Sequence, residues 1–327
     1  MSAPVAGIDL GGTKIEVAVF DDEHQVLGSA RHPTPASGGP KDVAAAILAA
    51  IREACEGAKL TPEQLGGVGL GSPGVVDPAS GTVSGARNLP DWEGSFALGP
   101  ALSEKLGVAV TVGNDVAVAT DAEFELGAGR PYRSLLGVFW GTGVGGGVVL
   151  DGTPWHGRGA AGEIGHMVVK LDGRQCPCGR KGCMEAYAGR GAMEARAHKR
   201  HADGEHTDLF KIMEKRGRTR LTSAVWAKAL EAQDMLATEL IDEAVLALGA
   251  GIGSAVNLLD VEAVIIGGGL GVRFGEPMAR RIEQAMLPHV FASNRPPDVH
   301  LAGLGDLGGA LGASLLARRA IARRTTA

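Results

Sequence analysis

Between Glu163 and Glu185 the chain reads Glu163-Ile-Gly-His166 and then, a short loop later, Cys176-Pro-Cys178-Gly-Arg-Lys-Gly-Cys183-Met-Glu185. Thiolates at that density, with an imidazole nearby, are the soft and borderline donors that hold Zn²⁺ tetrahedrally. Four protein ligands, His166, Cys176, Cys178 and Cys183, fill the shell and leave no position for a reactive water. The pattern therefore predicts a closed structural zinc site that orders a loop. A disulfide with a spare thiol is the alternative, but Cys176 and Cys178 are too close in sequence to bridge easily. The N-terminal residues lack the basic, apolar pattern of a secretory leader, so a reducing, cytoplasmic setting is expected. Cys55 stands apart in an apolar helical run and reads as a small core residue.

The elements that must position such a loop come from the rest of the chain. At 327 residues there is material for about two ordinary domains, and 51 glycines stand far above the ~7% of average usage. They concentrate after apolar runs. Val5–Asp9 and Ile15–Phe20 read as strands joined by Leu10-Gly-Gly-Thr-Lys14. A helical period covers Lys41–Ala58, and further strands are expected at Val68–Leu70, Val108–Val112, Leu135–Trp140 and Val148–Leu150. The last two flank a glycine loop over Gly141–Gly147. A long helix over Glu239–Leu259 precedes a strand at Ala263–Ile266 and then Gly267-Gly-Gly269. Alternating strands and helices indicate an α/β protein.

Three glycine turns at strand ends suggest phosphate binding, because backbone N–H groups can approach phosphate oxygens where no Cβ intervenes. Neither the Walker P-loop nor the dinucleotide fingerprint is matched, so another phosphate-binding architecture is required. Asn114-Asp115 sits between a strand and the helical run Val116–Leu126. Asp115 there reads as a helix N-cap, or as a base that takes a proton from a substrate hydroxyl fixed by Asn114. A net charge of −5 gives no general attraction to nucleic acid or anionic membrane, and no apolar run approaches a membrane span.

Taken together, Asp9-Leu-Gly-Gly-Thr-Lys14, Gly71-Ser-Pro-Gly74, Asn114-Asp115, Gly141-Thr-Gly143, Glu163-Ile-Gly-His166 and the cysteine motif resemble the ROK family (repressor, open reading frame, kinase), most of all its ATP-dependent glucokinases. The resemblance runs from Gly7 to about Gly312. It implies an actin-like, ribonuclease-H-like α/β fold of two domains with an interdomain cleft: residues 1–114 with 313–327, and residues 115–312 carrying the zinc loop. It implies transfer of the ATP γ-phosphoryl group to the 6-hydroxyl of glucose with Mg²⁺. Asp115 would be the general base. Gly11, Gly12, Thr13, Gly141, Thr142 and Gly143 would cradle the phosphates, Asp9 would hold Mg²⁺ through water, and Gly267, Gly268 and Gly269 would shape the adenosine pocket. Lys14 is either a phosphate contact or a strand-end charge. Asn88, Asn114, Glu163, His166 and Glu185 would ring the sugar hydroxyls, and zinc would fix His166 from behind.

Other hexose or N-acetylhexosamine kinases share these motifs, so N-acetylmannosamine, N-acetylglucosamine or fructose is the alternative substrate. The repressor branch needs an N-terminal helix-turn-helix, for which no room is expected before Gly7. Trp92, in Asn88-Leu-Pro-Asp-Trp92, is either a sugar contact or a core or interface aromatic. The polar segment from Ala197 to Arg220 reads as a solvated helical insertion. A homodimer or homotetramer is implied by the resemblance alone.

Overall fold

Small and β-branched residues from Val5 onward build an antiparallel hairpin, β1 (Val5–Leu10) and β2 (Lys14–Phe20), in register from Val5↔Phe20 to Leu10↔Ile15. The computed structural model describes residues 3–325 of the chain. β3 (Val26–Pro33) adds antiparallel to β2. Helix α1 (Gly39–Gly57) starts after Gly38 with Pro40 in its first turn, where proline's missing N–H costs nothing. Its buried face carries Val43, Ile47, Ile51, Ala54 and Cys55, so Cys55 is the core residue expected.

β4 (Gly67–Ser72) pairs parallel with β1. A small antiparallel sheet follows, made of β5 (Val75–Asp77), β6 (Thr82–Ser84) and β7 (Ser95–Phe96). Helix α2 (Leu98–Leu106) stops at Gly107, whose φ of 70° suits a glycine C-cap. β8 (Val110–Asn114) lies parallel to β4 and leads into α3 (Asp115–Leu126). The first sheet thus has the order β3-β2-β1-β4-β8.

The second sheet opens with β9 (Leu135–Trp140), β10 (Val144–Leu150) and the short β11 (Thr153–Pro154). Residues 144–147, expected as loop, are strand: they pair antiparallel with Trp140 through Gly137. A methyl at Gly146 would come 2.7 Å from Gly162 O and from Ile164 Cγ2, so glycine here admits a close layer instead of marking a turn. After the cysteine loop come α4 (Glu185–Ala188), α5 (Arg190–Ala202), α6 (Leu209–Lys215), α7 (Ser223–Glu231) and the long α8 (Met235–Leu259). β12 (Ala263–Gly267), α9 (Gly268–Phe274), α10 (Glu276–Met286) and β13 (Asp298–Leu301) complete the order β11-β10-β9-β12-β13.

The segment from Ala197 to Arg220 is only half solvated, against expectation. Ala197, Thr207 and Leu209 are buried, and His198 and His201 stack on Phe210 at 4.5 and 4.9 Å between ring centroids. Its polar composition hides an inward stripe of small and apolar positions.

The last helix, α11 (Gly308–Thr325), returns to the first sheet. A methyl at Gly7 would overlap the carbonyl oxygen of Ala310, and one at Gly69 that of Ala313. Bare glycine backbone on β1 and β4 is what lets α11 lie against the sheet. By contacts, the first unit comprises the described parts of residues 1–130, 155–161 and 303–327; the second comprises 131–154 and 162–302. α3 belongs to the first unit because it packs on α11, whereas a boundary at residue 114 would have placed it in the second. Each unit has its own apolar core. Among the described residues no helix is long and apolar enough to cross a membrane.

Candidate functional site

In the first unit β1, β4 and β8 are neighbours running the same way. Ligands of open α/β sheets bind outside the carboxyl ends of such strands. β1 ends in the turn Gly11–Thr13, β4 in Gly71-Ser-Pro-Gly74 and β8 in Asn114-Asp115. The first turn is held by Gly11 N–H donating to Lys14 O (2.9 Å), Thr34 Oγ1 donating to Gly11 O (2.6 Å) and Thr34 N–H donating to Thr13 O (3.2 Å). A methyl on Gly12 would sit 2.5 Å from Asn88 O, so Asn88 lies directly against the turn. Thr34 is a supporting residue that no sequence motif marks, since its role depends on the pairing of β2 with β3.

Asp9 lies at the end of β1 with Gly309 of α11 pressed beside its carboxyl group, where a methyl would approach Cγ to 2.7 Å. Burial pushes the Asp9 pKa up, partly opposed by the Lys14 charge. Lys14 itself turns back along β2 and donates to Glu16 Oε2 at 2.9 Å, an oxygen shared with Arg31 Nε at 2.7 Å. That ion pair supports the strand-end reading of Lys14 without testing the phosphate contact.

The N-cap of α3 is Asn114, not Asp115. With extended backbone (φ −68°, ψ 138°), Asn114 Oδ1 accepts from Val116 N–H and Ala117 N–H, each at 3.1 Å. Its Nδ2 donates to Gly74 O at 3.4 Å. Asn114 therefore spends its oxygen on the helix, and Asp115 occupies the first helical position with Oδ1 accepting from Val116 N–H at 2.9 Å. A methyl at Gly71 would lie 3.2 Å from Asp115 Cα, so that glycine lets the start of α3 pack close to β4. Trp92 is buried, donates Nε1–H to Val83 O and packs edge-on against Phe96, which makes it a core aromatic.

In the second unit the four predicted ligands converge. One ring nitrogen of His166 and the sulfurs of Cys176, Cys178 and Cys183 all lie within 4.8 Å of one another. Cys178 and Cys183 sulfurs are 3.7 Å apart, and Cys176 Sγ is 3.8 Å from His166 Nδ1. Sulfurs bound tetrahedrally at about 2.3 Å would be separated by about 3.8 Å, so the donors fit Zn²⁺. All four cysteines are free. Burial pushes the Cys176 thiol up to about 12. At Cys178 burial acts the same way but is outweighed by hydrogen bonds from Arg180 and the other thiols, which bring it down to about 6. A divalent cation would draw off the remaining thiol protons. A methyl at Gly182, where φ is 78°, would overlap Lys170 O, so the loop closes only with glycine there.

His166 turns its other nitrogen outward, with Nε2 3.9 Å from Glu163 Oε2. Glu185 spans the metal loop and a glycine turn. Its Oε1 is 4.0 Å from Cys176 Sγ, and its Oε2 accepts from Val144 N–H at 2.9 Å. A methyl at Gly143 would overlap that oxygen. The turn Gly141–Gly143 ends β9, and Gly267–Gly269 ends the adjacent parallel strand β12. Gly268 has φ 79° and a methyl there would reach 2.6 Å from Trp140 O, whereas Gly269 opens onto free space. Both expected nucleotide turns of this unit thus share one sheet edge. Arg190, which no sequence motif singles out, contacts the first of these turns by donating Nη2–H to Thr142 Oγ1 at 2.8 Å.

Residues 5–320 match the ROK family. The chain is similar to a glucokinase of Halalkalibacterium halodurans, at 31% identity over 96% of this chain and 94% of that one. It is also similar to an N-acetylgalactosamine kinase of Shewanella, at 33% identity over 95% of each. Among solved structures, a ROK family glucokinase from Streptomyces griseus in complex with glucose and AMPPNP superposes with a TM-score of 0.83 at 30% identity, covering 97% of this chain and 99% of that one. The shared fold is the actin-like α/β fold.

Proposed function

Since the chain belongs to the ROK family, we propose that it is an ATP-dependent sugar kinase that transfers the γ-phosphoryl group to the 6-hydroxyl of glucose. The observation that carries this reading is the position of Asp115. Its carboxylate stands at the carboxyl edge of three parallel strands, with only β4 between β8 and the strand that ends in the turn Gly11–Thr13, on which Asn88 packs. Phosphoryl transfer needs mainly positioning and charge stabilisation, because the transferred group passes through a loose, metaphosphate-like state.

In this reading Asp115 accepts the proton of the attacking hydroxyl as its oxygen bonds to phosphorus and the bond to the ADP oxygen breaks. Backbone N–H groups of Gly11–Thr13 and Gly141–Gly143 would hold the phosphates, Asp9 would help hold Mg²⁺, which would neutralise phosphate charge, and Gly267–Gly269 would border adenosine. Asn88, Asn114, Glu163, His166 and Glu185 hold the sugar hydroxyls; a hydroxyl-binding site rejects analogues by leaving its own buried polar groups unpaired. Bound at Nδ1, Zn²⁺ would fix the His166 ring and leave Nε2 to face a hydroxyl. His166 and Glu163 then act as a pair, and Glu185 adds a third polar group tied to the glycine turn.

An N-acetylhexosamine is the second reading, favoured by the Shewanella relative, whose 33% identity is no lower than the 31% of the glucokinase. A coupled ADP-release assay with Mg-ATP against glucose, mannose, fructose, N-acetylglucosamine, N-acetylgalactosamine and N-acetylmannosamine decides between them, with polyphosphate as a donor control. Highest kcat/KM with glucose supports the first reading. Activity confined to an acetylated sugar replaces it, and silence with every sugar refutes the kinase assignment.

A further inference from the structure

The start of α5 grips the turn Gly141–Gly143. The N–H groups of Arg190 and Gly191 donate to the carbonyls of Gly141 (3.1 Å) and Thr142 (3.0 Å), and the Arg190 guanidinium donates to Thr142 Oγ1 (2.8 Å). That bond uses one of five guanidinium N–H donors. Among the described residues no carboxylate lies within ion-pair distance of Arg190. The acid that acts on it is Glu194, one helical turn on along α5, and it is already engaged: Oε1 accepts from Leu221 N–H at 3.0 Å. Its other oxygen, in a residue only 7% exposed, has no hydrogen-bond partner and stands 3.5 Å from Arg220 Nε. Two guanidinium groups thus share one buried carboxylate beside the turn, leaving a net positive charge.

A partly buried cation without its own counter-ion is costly unless an anion is to be placed against it. Burial and the like charge of Arg220 both press the Arg190 pKa down, as expected for a cation short of negative partners. The space beside the turn that Arg190 grips is open: the nearest atom to a methyl at Gly141 would be Gly269 N at 3.9 Å, and nothing comes within 4 Å of one at Gly269. We infer that Arg190 is a ligand of the donor's phosphate chain, with Arg220 as a second cation and Glu194 as their buried counter-charge. The inference rests on the reading of Gly141–Gly143 as a phosphate turn. Arginine suits the task because its planar fork matches phosphate oxygens two at a time.

Binding of adenosine, ADP and AMPPNP with Mg²⁺ to the full chain, measured calorimetrically for wild type, Arg190→Gln and Arg190→Lys, tests it. In wild type, affinity should climb with each added phosphate. Arg190→Gln should weaken AMPPNP by about ten- to a hundredfold, ADP less, and adenosine hardly at all, with the sugar KM unchanged; Arg190→Lys should fall between. Equal losses for adenosine and AMPPNP, or none for either, would reduce Arg190 to a clamp on Thr142 and overturn the proposal. A wild-type affinity indifferent to phosphate number would instead bring down the phosphate-turn reading itself, and that outcome is visible before any substitution is made.

Discussion

A methyl group at position 143 should harm the sugar side of the site through a residue of the nucleotide side. Built on Gly143, a Cβ would overlap Glu185 Oε2 and lie 3.1 Å from its Cδ, while the backbone there is not left-handed, so alanine carries no conformational penalty of its own. Glu185 must swing away and give up the bond from Val144 N–H. Hydrogen bonds to charged groups contribute about 1.5–3 kcal/mol, and a carboxylate near the surface regains water, so the loss in Gly143→Ala should be about 1.5 kcal/mol. Gly141→Ala is the control. With its nearest neighbour at 3.9 Å, it should change stability by less than about 0.5 kcal/mol while raising the KM for Mg-ATP. Urea unfolding of Gly143→Ala, Glu185→Ala and the double variant isolates the contact: the alanine at 143 should cost almost nothing once Glu185 is gone, giving a coupling of about 1.5 kcal/mol. Sugar titration should show weakened binding in Gly143→Ala. An equal cost with and without Glu185, or unaltered sugar affinity, would refute the reasoning.

Other consequences are as direct. Asp115→Ala should lower kcat by about a thousandfold or more with sugar affinity within a few-fold, and because Asn114 carries the cap, its urea midpoint should barely move; turnover within about tenfold of wild type would remove Asp115 from the chemistry. Metal analysis should find zinc in the wild-type chain and none in Cys178→Ser, which should also lower both thermal stability and sugar affinity. Retention of both after loss of the metal would make the cluster irrelevant to the sugar. Burial raises the pKa of Asp9, so between the ordinary carboxylate value of ~3.9 and that raised value the native state holds more protons than the unfolded chain. Stability should therefore fall as pH rises through this window, and Asp9→Asn should abolish that slope in urea midpoints taken without added magnesium. An unchanged slope would assign it to another group.

Features that depend on short spacing were legible in the sequence. The cysteine cluster is such a case, since tetrahedral geometry leaves little choice once three thiols fall within eight residues. So are the glycine turns at the ends of β1, β9 and β12. Where composition and register disagree, composition misleads: residues 144–147 look like loop by glycine content, yet six successive pairs from Val144↔Trp140 to Val149↔Leu135 make them strand. Asn114 and Asp115 are equally good capping residues by type, and only a one-residue choice of where the helix begins gives the cap to one and the first helical position to the other. The contacts of Glu185 with Val144 and of Arg190 with Thr142 join residues 41 and 48 positions apart, beyond the reach of any local pattern.

The packing of α11 on Gly7 and Gly69 inverts the order in which the chain can mature on the ribosome. The second unit is complete at residue 302, but the first lacks its closing helix until residues 308–325 have emerged. At ~5–20 residues per second that interval lasts seconds, during which one face of β1 and β4 offers bare backbone where the helix will lie. A nascent chain stalled once residue 302 has cleared the ribosome should therefore resist protease across its second unit while β1 and β4 are still cut, so that the earlier unit is the last to be sealed.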